Sequence, residues 1–222
     1  MQKFLRDNGL TLTLLLLFGL SVAFQAATGF ASENAELADH GQSALDFGSY
    51  LVSGAFLSSL FENWESEFLQ MWAFVMLTAY LFQRGSPESK DPDGTAPQDR
   101  DPKLDAGDPK APGPVRLGGL ARTIYSHSLG LALFLLFVCS FALHFVNSAR
   151  LAADEAALHG EGAPGGLLAH MGEAQFWFES FQNWQSEFLS TAVLIVLAIY
   201  LRERGSPESK PVGAPHAATG TD

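Results

Sequence analysis

One half of this chain is a second version of the other half. FENWESEFL at 61–69 returns as FQNWQSEFL at 181–189, and RGSPESK at 84–90 returns unchanged at 204–210. Both echoes share an offset of about 120 residues, so the duplicated unit is half the protein and not a short solenoid repeat. Each copy carries one long apolar run near its start and another just before RGSPESK. Any fold must therefore be assembled from two editions of one two-run unit.

The length and segregation of those runs point to a bilayer. Gly9 to Phe24 is almost free of charge, and with Gln25 and Thr28 it reaches the roughly 20 residues a spanning helix needs. Ser126 to Val146 is its echo. The second runs, Phe68 to Phe82 and Phe188 to Leu201, are shorter, and must borrow from the ENWESEF segment to cross a hydrocarbon core of about 30 Å. Charged residues sit between the blocks, as in membrane proteins. The expected fold class is all-α: a polytopic membrane protein with four transmembrane helices, arranged as two parallel, same-orientation hairpin repeats.

The first repeat covers 1–90, with crossings at about 8–28 and 62–83 and an outer loop with an interfacial helix at about 29–61. The second covers 119–210, with crossings at about 126–147 and 182–202 and an outer loop at about 148–175. Between them, 91–118 is rich in Asp, Pro and Gly and offers almost nothing to bury, so a disordered cytoplasmic linker is expected there and a disordered tail at 211–222. Met1 to Thr28 also has the parts of a secretory signal, with Lys3, Arg6 and the small residues Ala26 and Ala27. Residues 126–147 align with 7–28 without a gap, and an internal segment cannot be a cleaved signal. The first helix is therefore read as retained.

Basic residues set the orientation. Lys3 and Arg6, the run from Arg84 to Arg122, and Arg202, Arg204 and Lys210 all flank the same side, and Arg150 alone lies in an outer loop. The positive-inside rule then places both termini and the linker in the cytoplasm. The net charge of −11 comes from carboxylates on both sides and names no partner. Cys139 is the only cysteine and allows no intrachain disulfide.

YLVSGAFLSSLF, at 50–61, would make the second helix about 54 Å long if it simply extended it from residue 48 to 83. A bend is expected, with Gly54 as its hinge and the preceding stretch as a lid at the outer interface. In RGSPESK, Gly85 and Gly205 suit the left-handed residue that closes a helix, and Pro87 and Pro207 prevent its resumption. A helix stop leaves the identical Ser, Glu, Ser and Lys unexplained, and contact with the opposite repeat or docking would account for them.

Chemistry concentrates in ENWESEFLQ and QNWQSEFLS. At 100° per residue Asn63, Ser66 and Gln70 form one stripe edged by Glu62 and Glu67, and Asn183, Ser186 and Ser190 repeat it beside Glu187 and Gln182. Counting 1.5 Å per residue from the cytoplasmic ends puts Ser21 and Gln70 about 20 Å up, with Gln25 and Glu67 about 25 Å up. The sharp expectation is a polar cluster in the outer half of the membrane made of Glu67, Glu187, Asn63, Asn183, Ser66, Ser186, Gln25 and His144. Intramembrane carboxylates are costly and mark ion, proton or solute routes. Glu187 with His144 is the proton-active pair, because imidazole titrates near neutral pH. The plainer reading keeps Trp64 and Trp184 as anchors in the interfacial aromatic belt, with Asn and Ser as packing glue.

Other chemistries lack their residues. A di-metal bundle needs Glu-x-x-His pairs, none occurs, and Glu62 and Glu65 become Gln182 and Gln185 in the second copy, so no metal site is expected. His40 and His159 are read as isolated loop residues. No nucleophile elbow or phosphate-cradling loop appears, so neither catalytic residues nor a cofactor are expected, and the charge disfavours nucleic acid. The expected partners are the lipid bilayer and either a second copy or another membrane protein.

ENWESEFLQ followed by a short helix and GSPESK resembles the hallmark of an uncharacterised bacterial integral membrane family, a domain of unknown function. The resemblance covers nearly the whole chain except linker and tail, and implies a bacterial membrane protein of about this size with no activity or site residue attached; the expected location is the bacterial inner membrane. The second copy departs from the motif at Gln182, Gln185 and Ser190. The resulting expectation is a non-enzymatic pore, carrier or accessory subunit that handles a proton or small solute. The alternative is a structural or stress-response protein acting through helix–helix assembly, with a lipid-acting enzyme a distant third.

Overall fold

The computed structural model describes residues 2–160 and 165–220; residues 1, 161–164 and 221–222 lie outside them. The described residues are all-helical with no strand. In chain order they form α1 (Gln2–Asp39), α2 (Phe47–Leu51), α3 (Gly54–Tyr80), α4 (Gly113–Leu117), α5 (Gly119–Ser126), α6 (Ser128–Leu158), α7 (Leu167–His170) and α8 (Ala174–Tyr200). Two helices, Lys3–Asp39 and Ser128–Leu158, are long and apolar enough to cross a membrane. Their apolar side chains are largely uncovered, among them Leu10, Leu16 and Phe24 on α1 and Leu129 and Leu135 on α6. α3 and α8, at 27 residues each, measure about 40 Å, but their polar motif segments make them less apolar.

Both apolar helices outrun the apolar runs that nucleate them. α1 continues through residues 29–39 and α6 through 148–158, segments read from sequence as the starts of outer loops. ASENAELAD and SARLAADEAAL are rich in Ala, Glu and Leu, good helix formers with nothing to stop them before Gly41 and Gly160, which both have positive φ.

The chain divides into two compact units, one of residues through Phe61 with Ala142–Phe176, the other Glu62–Phe141 with Trp177 onward. In the first, α2 packs on α1. Tyr50, Ala26 and Phe56 form the buried centre, with Tyr50 5.8 Å from the Phe30 ring and 5.5 Å from Phe56. Asn34 ties the intervening loop to α1, accepting from Leu45 N at 2.7 Å and donating to Leu45 O at 3.3 Å. The expected break before α3 is present, with α2 ending at Leu51 and α3 starting at Gly54. Gly54 has a second reason to be glycine: a Cβ there would lie 2.7 Å from Leu151 N and 3.0 Å from Asn147 O on α6. Gly54→Leu must push these backbones apart and should destabilise the protein by about 1–3 kcal/mol, measured as denaturant unfolding in detergent.

In the second unit the linker buries little and forms the same kind of turn three times. Asp91, Asp101 and Asp108 each precede a proline and accept the N–H two residues on, at 3.0, 2.9 and 2.8 Å. These Asx turns are what Asp-Pro sequences favour. Exposed pairs Arg84 with Asp93 and Arg100 with Asp105 add little to stability.

Candidate functional site

Within the second unit the two motif segments meet each other. Asn183 donates to the Glu62 carboxylate, the Trp184 indole N–H donates to Glu65 Oε1 at 3.0 Å, and Gln70 Nε2 donates to Thr191 Oγ1 at 2.5 Å. The partners advance together along both helices, so α3 and α8 run parallel here. Glu65 has no solvent exposure and Ser66 is buried, whereas Asn63 and Glu67 point outward. Trp184, expected as an interfacial anchor, lies among Phe137, Phe141 and Phe181, with ring centroids 5.2–6.4 Å away. Trp64 is half-buried.

At two contacts of this seam a carboxylate of the first copy, Glu62 or Glu65, accepts from an N–H of the second, Asn183 or Trp184, while Gln182 and Gln185 are exposed. Ser66 and Ser186 return their hydroxyls to Asn63 O and Asn183 O of their own helices, both at 2.8 Å. Ser186 is exposed and Glu187 half-buried.

The first unit holds the other two expected site residues. Gln25 donates to Ser59 Oγ at 2.8 Å. His144 is fully buried, its ring 5.2 Å from Phe176. Sequence reading passed over His170, although it has partners on both ring nitrogens: Ser148 Oγ lies 3.0 Å from Nε2 and Glu173 Oε2 lies 2.6 Å from Nδ1. Ser148 and His170 are buried, which makes this series a packing contact tying α6 to α7.

At the other end of the second unit the two RGSPESK copies fold alike. α3 and α8 stop at Tyr80 and Tyr200, before the glycines, and Gly85 and Gly205 take φ of 87° and 91° in the turns that follow. Ser89 Oγ accepts from Gln83 N at 2.8 Å and Ser209 Oγ from Glu203 N at 3.0 Å. Ser86 Oγ accepts from Glu88 N at 3.1 Å and Ser206 Oγ from Glu208 N at 3.2 Å. The two serines are thus required by the turn itself, which a helix stop alone did not explain.

The copies also touch. The Lys210 ammonium, wholly buried, donates to Gly85 O at 2.5 Å and to the tail carbonyls of His216, Ala218 and Pro215 at 2.8, 3.0 and 3.3 Å. Thr219 Oγ1 accepts from Gly85 N at 2.8 Å and Gly220 N donates to Ser86 O at 3.0 Å, so the tail folds back over the first copy. Burial and the neighbouring Arg202 guanidinium hold the Lys210 ammonium below its usual range.

Glu88 hydrogen-bonds the Glu208 carboxyl, which requires a proton between them. Burial first, then the bond to Glu208 and its charge, push Glu88 from 4.5 up to about 7. A folded pKa above the unfolded one means the junction takes up a proton on folding. Its contribution is fully present below about pH 4.5 and lost as pH rises through about 7. The thermal midpoint should therefore fall across that window, and Glu88→Gln should flatten the profile.

A family model described as Domain of unknown function (DUF6766) matches residues 1–221. The chain belongs to this family. No curated protein and no solved structure matches it. Membership in the domain-of-unknown-function family brings the whole chain, linker included, under one description, and leaves chemistry to the seam and the junction. Of the seam residues, sequence reading passed over Thr191 and weighed Glu65 only as a metal ligand.

Proposed function

We propose that this family member is a non-enzymatic integral membrane protein that crosses the bilayer four times, as two like-oriented hairpins with both termini in the cytoplasm. The uncovered apolar surfaces of α1 and α6, the basic flanks and the parallel contact of α3 with α8 support that arrangement. Its function is to handle a proton or small polar solute at the seam between the motif segments. The observation that carries this is Glu65, a carboxylate without solvent exposure on a helix of crossing length, held by the Trp184 N–H. Such groups are tolerated in a bilayer chiefly where they serve a conduction or proton-relay path.

The second reading, assembly, is favoured by the pairing across the seam of Glu62, Glu65 and Gln70 with Asn183, Trp184 and Thr191. Hydrogen bonds of this kind join helices in lipid. Purified protein in liposomes separates the two. Glu65→Gln should reduce pH-driven proton or cation flux at least tenfold while the helices stay assembled. Flux absent from the wild type, with assembly lost in Glu65→Gln, leaves only the structural reading.

A further inference from the structure

A groove of about 390 Å³ runs along α3 and α8 within the second unit, on the RGSPESK side of the seam. Its walls are apolar and aromatic, with Phe74, Phe82 and Phe188 joined by Leu77, Leu81 and Ile195. One end is closed by the hydrogen-bonded Gln70 and Thr191, and the other carries Glu88 beside Ser86 and Ser89. The volume lies in the range of drug-sized ligand sites, which pair apolar walls with a few placed polar groups. This groove is separate from the Glu65 seam, and its reading does not depend on flux there.

The polar end decides what fits. The mouth offers carboxyl and hydroxyl oxygens, and the ammonium beside it, Lys90, stands 5.7 Å from the Phe82 ring centroid while engaged by Ala79 O and Asp99 in the neighbouring cleft; Lys210 is enclosed by carbonyls. Anionic head groups would meet Glu88 and Glu208. A delocalised cation would meet a carboxylate at the mouth and three phenyl rings along the walls, whose faces attract positive charge. We propose that the α3–α8 groove is a binding site for a lipophilic organic cation, with Glu88 as its counter-ion and Phe74, Phe82 and Phe188 as its aromatic walls. Below about pH 7 the Glu88–Glu208 pair holds a shared proton when the site is empty, and there the cation and that proton compete for one charge position.

Tetraphenylphosphonium, a rigid cation with no hydrogen-bonding group, is the probe. Equilibrium dialysis against the full chain in phosphatidylglycerol nanodiscs should show one saturable site per chain. Affinity should fall about 30-fold from pH 8 to pH 5.5, as a group titrating at about 7 takes up its proton. Glu88→Gln should weaken binding tenfold or more and abolish the pH dependence. Ala192→Trp, which fills the groove from an exposed wall position, should remove binding without touching the carboxyl pair. Neutral triphenylphosphine oxide should not compete. Equal competition by the neutral compound, or binding that survives both substitutions, overturns the proposal. So does a groove that phosphatidylethanolamine occupies while the phosphonium finds no site.

Discussion

Trp184→Phe should destabilise the protein by about 1.5–3 kcal/mol, the worth of a hydrogen bond to a charged group. The substitution keeps most of the packing against Phe137, Phe141 and Phe181 and removes the indole N–H that reaches Glu65 at 3.0 Å. Trp184→Ala also empties the space among those rings, and should cost about 3–5 kcal/mol. The order of variants is the sharper test. With Glu65→Leu as background there is no carboxylate left one donor short, so Trp184→Phe should cost less than about 1 kcal/mol there. Reversible unfolding in mixed micelles measures all four members of the cycle. Equal costs in both backgrounds would mean that the seam bond contributes nothing to holding α3 against α8.

Lys210→Met should release the tail. The ammonium satisfies carbonyls from Gly85, Pro215, His216 and Ala218 at once, and an isosteric apolar chain leaves these acceptors without it. A loss of about 3 kcal/mol is expected, since each buried acceptor left unsatisfied costs about 1–3 kcal/mol. That corresponds to roughly 100-fold in the detached population. Limited proteolysis between 211 and 220 should quicken accordingly. Lys90→Met is the matched control. Lys90 holds the equivalent place in the first copy but bonds only Ala79 O and Asp99, so its loss should leave the tail in place. A tail cut no faster in Lys210→Met than in the wild type would show that Thr219 and Gly220 hold it by themselves.

How far the site could be read beforehand depends on the kind of relation involved. Hydropathy gave α1 and α6 their centres, and the excess length of residues 48–83 anticipated the break that falls just before Gly54. The polar stripe was half legible: Ser66 and Gln70 do turn inward, while Asn63 and Glu67 face out and Glu65 takes the buried position. Glu65 and Glu67 are two residues apart and so lie about 160° from each other around the helix, and its rotation decides which of the two is enclosed. Periodicity fixes angles between residues of one helix and says nothing about the helix's rotation toward its neighbour. The tail was less legible still. Read as having nothing to bury, it is fastened by its own main-chain carbonyls to Lys210, and carbonyls have no signature in a sequence.

The sequence by itself determined the helical class, the placing of the apolar runs and the positions where helices must end, because each follows from residue order over a few turns. Tertiary structure alone decided that the two motif copies face each other, with Glu62 and Glu65 accepting from Asn183 and Trp184 and Gln70 donating to Thr191, and that Lys210 closes the tail over Gly85. Those pairings join groups about 120 residues apart, and only the packing of whole helices, driven by burial and by the demand that every enclosed polar group find a partner, selects them.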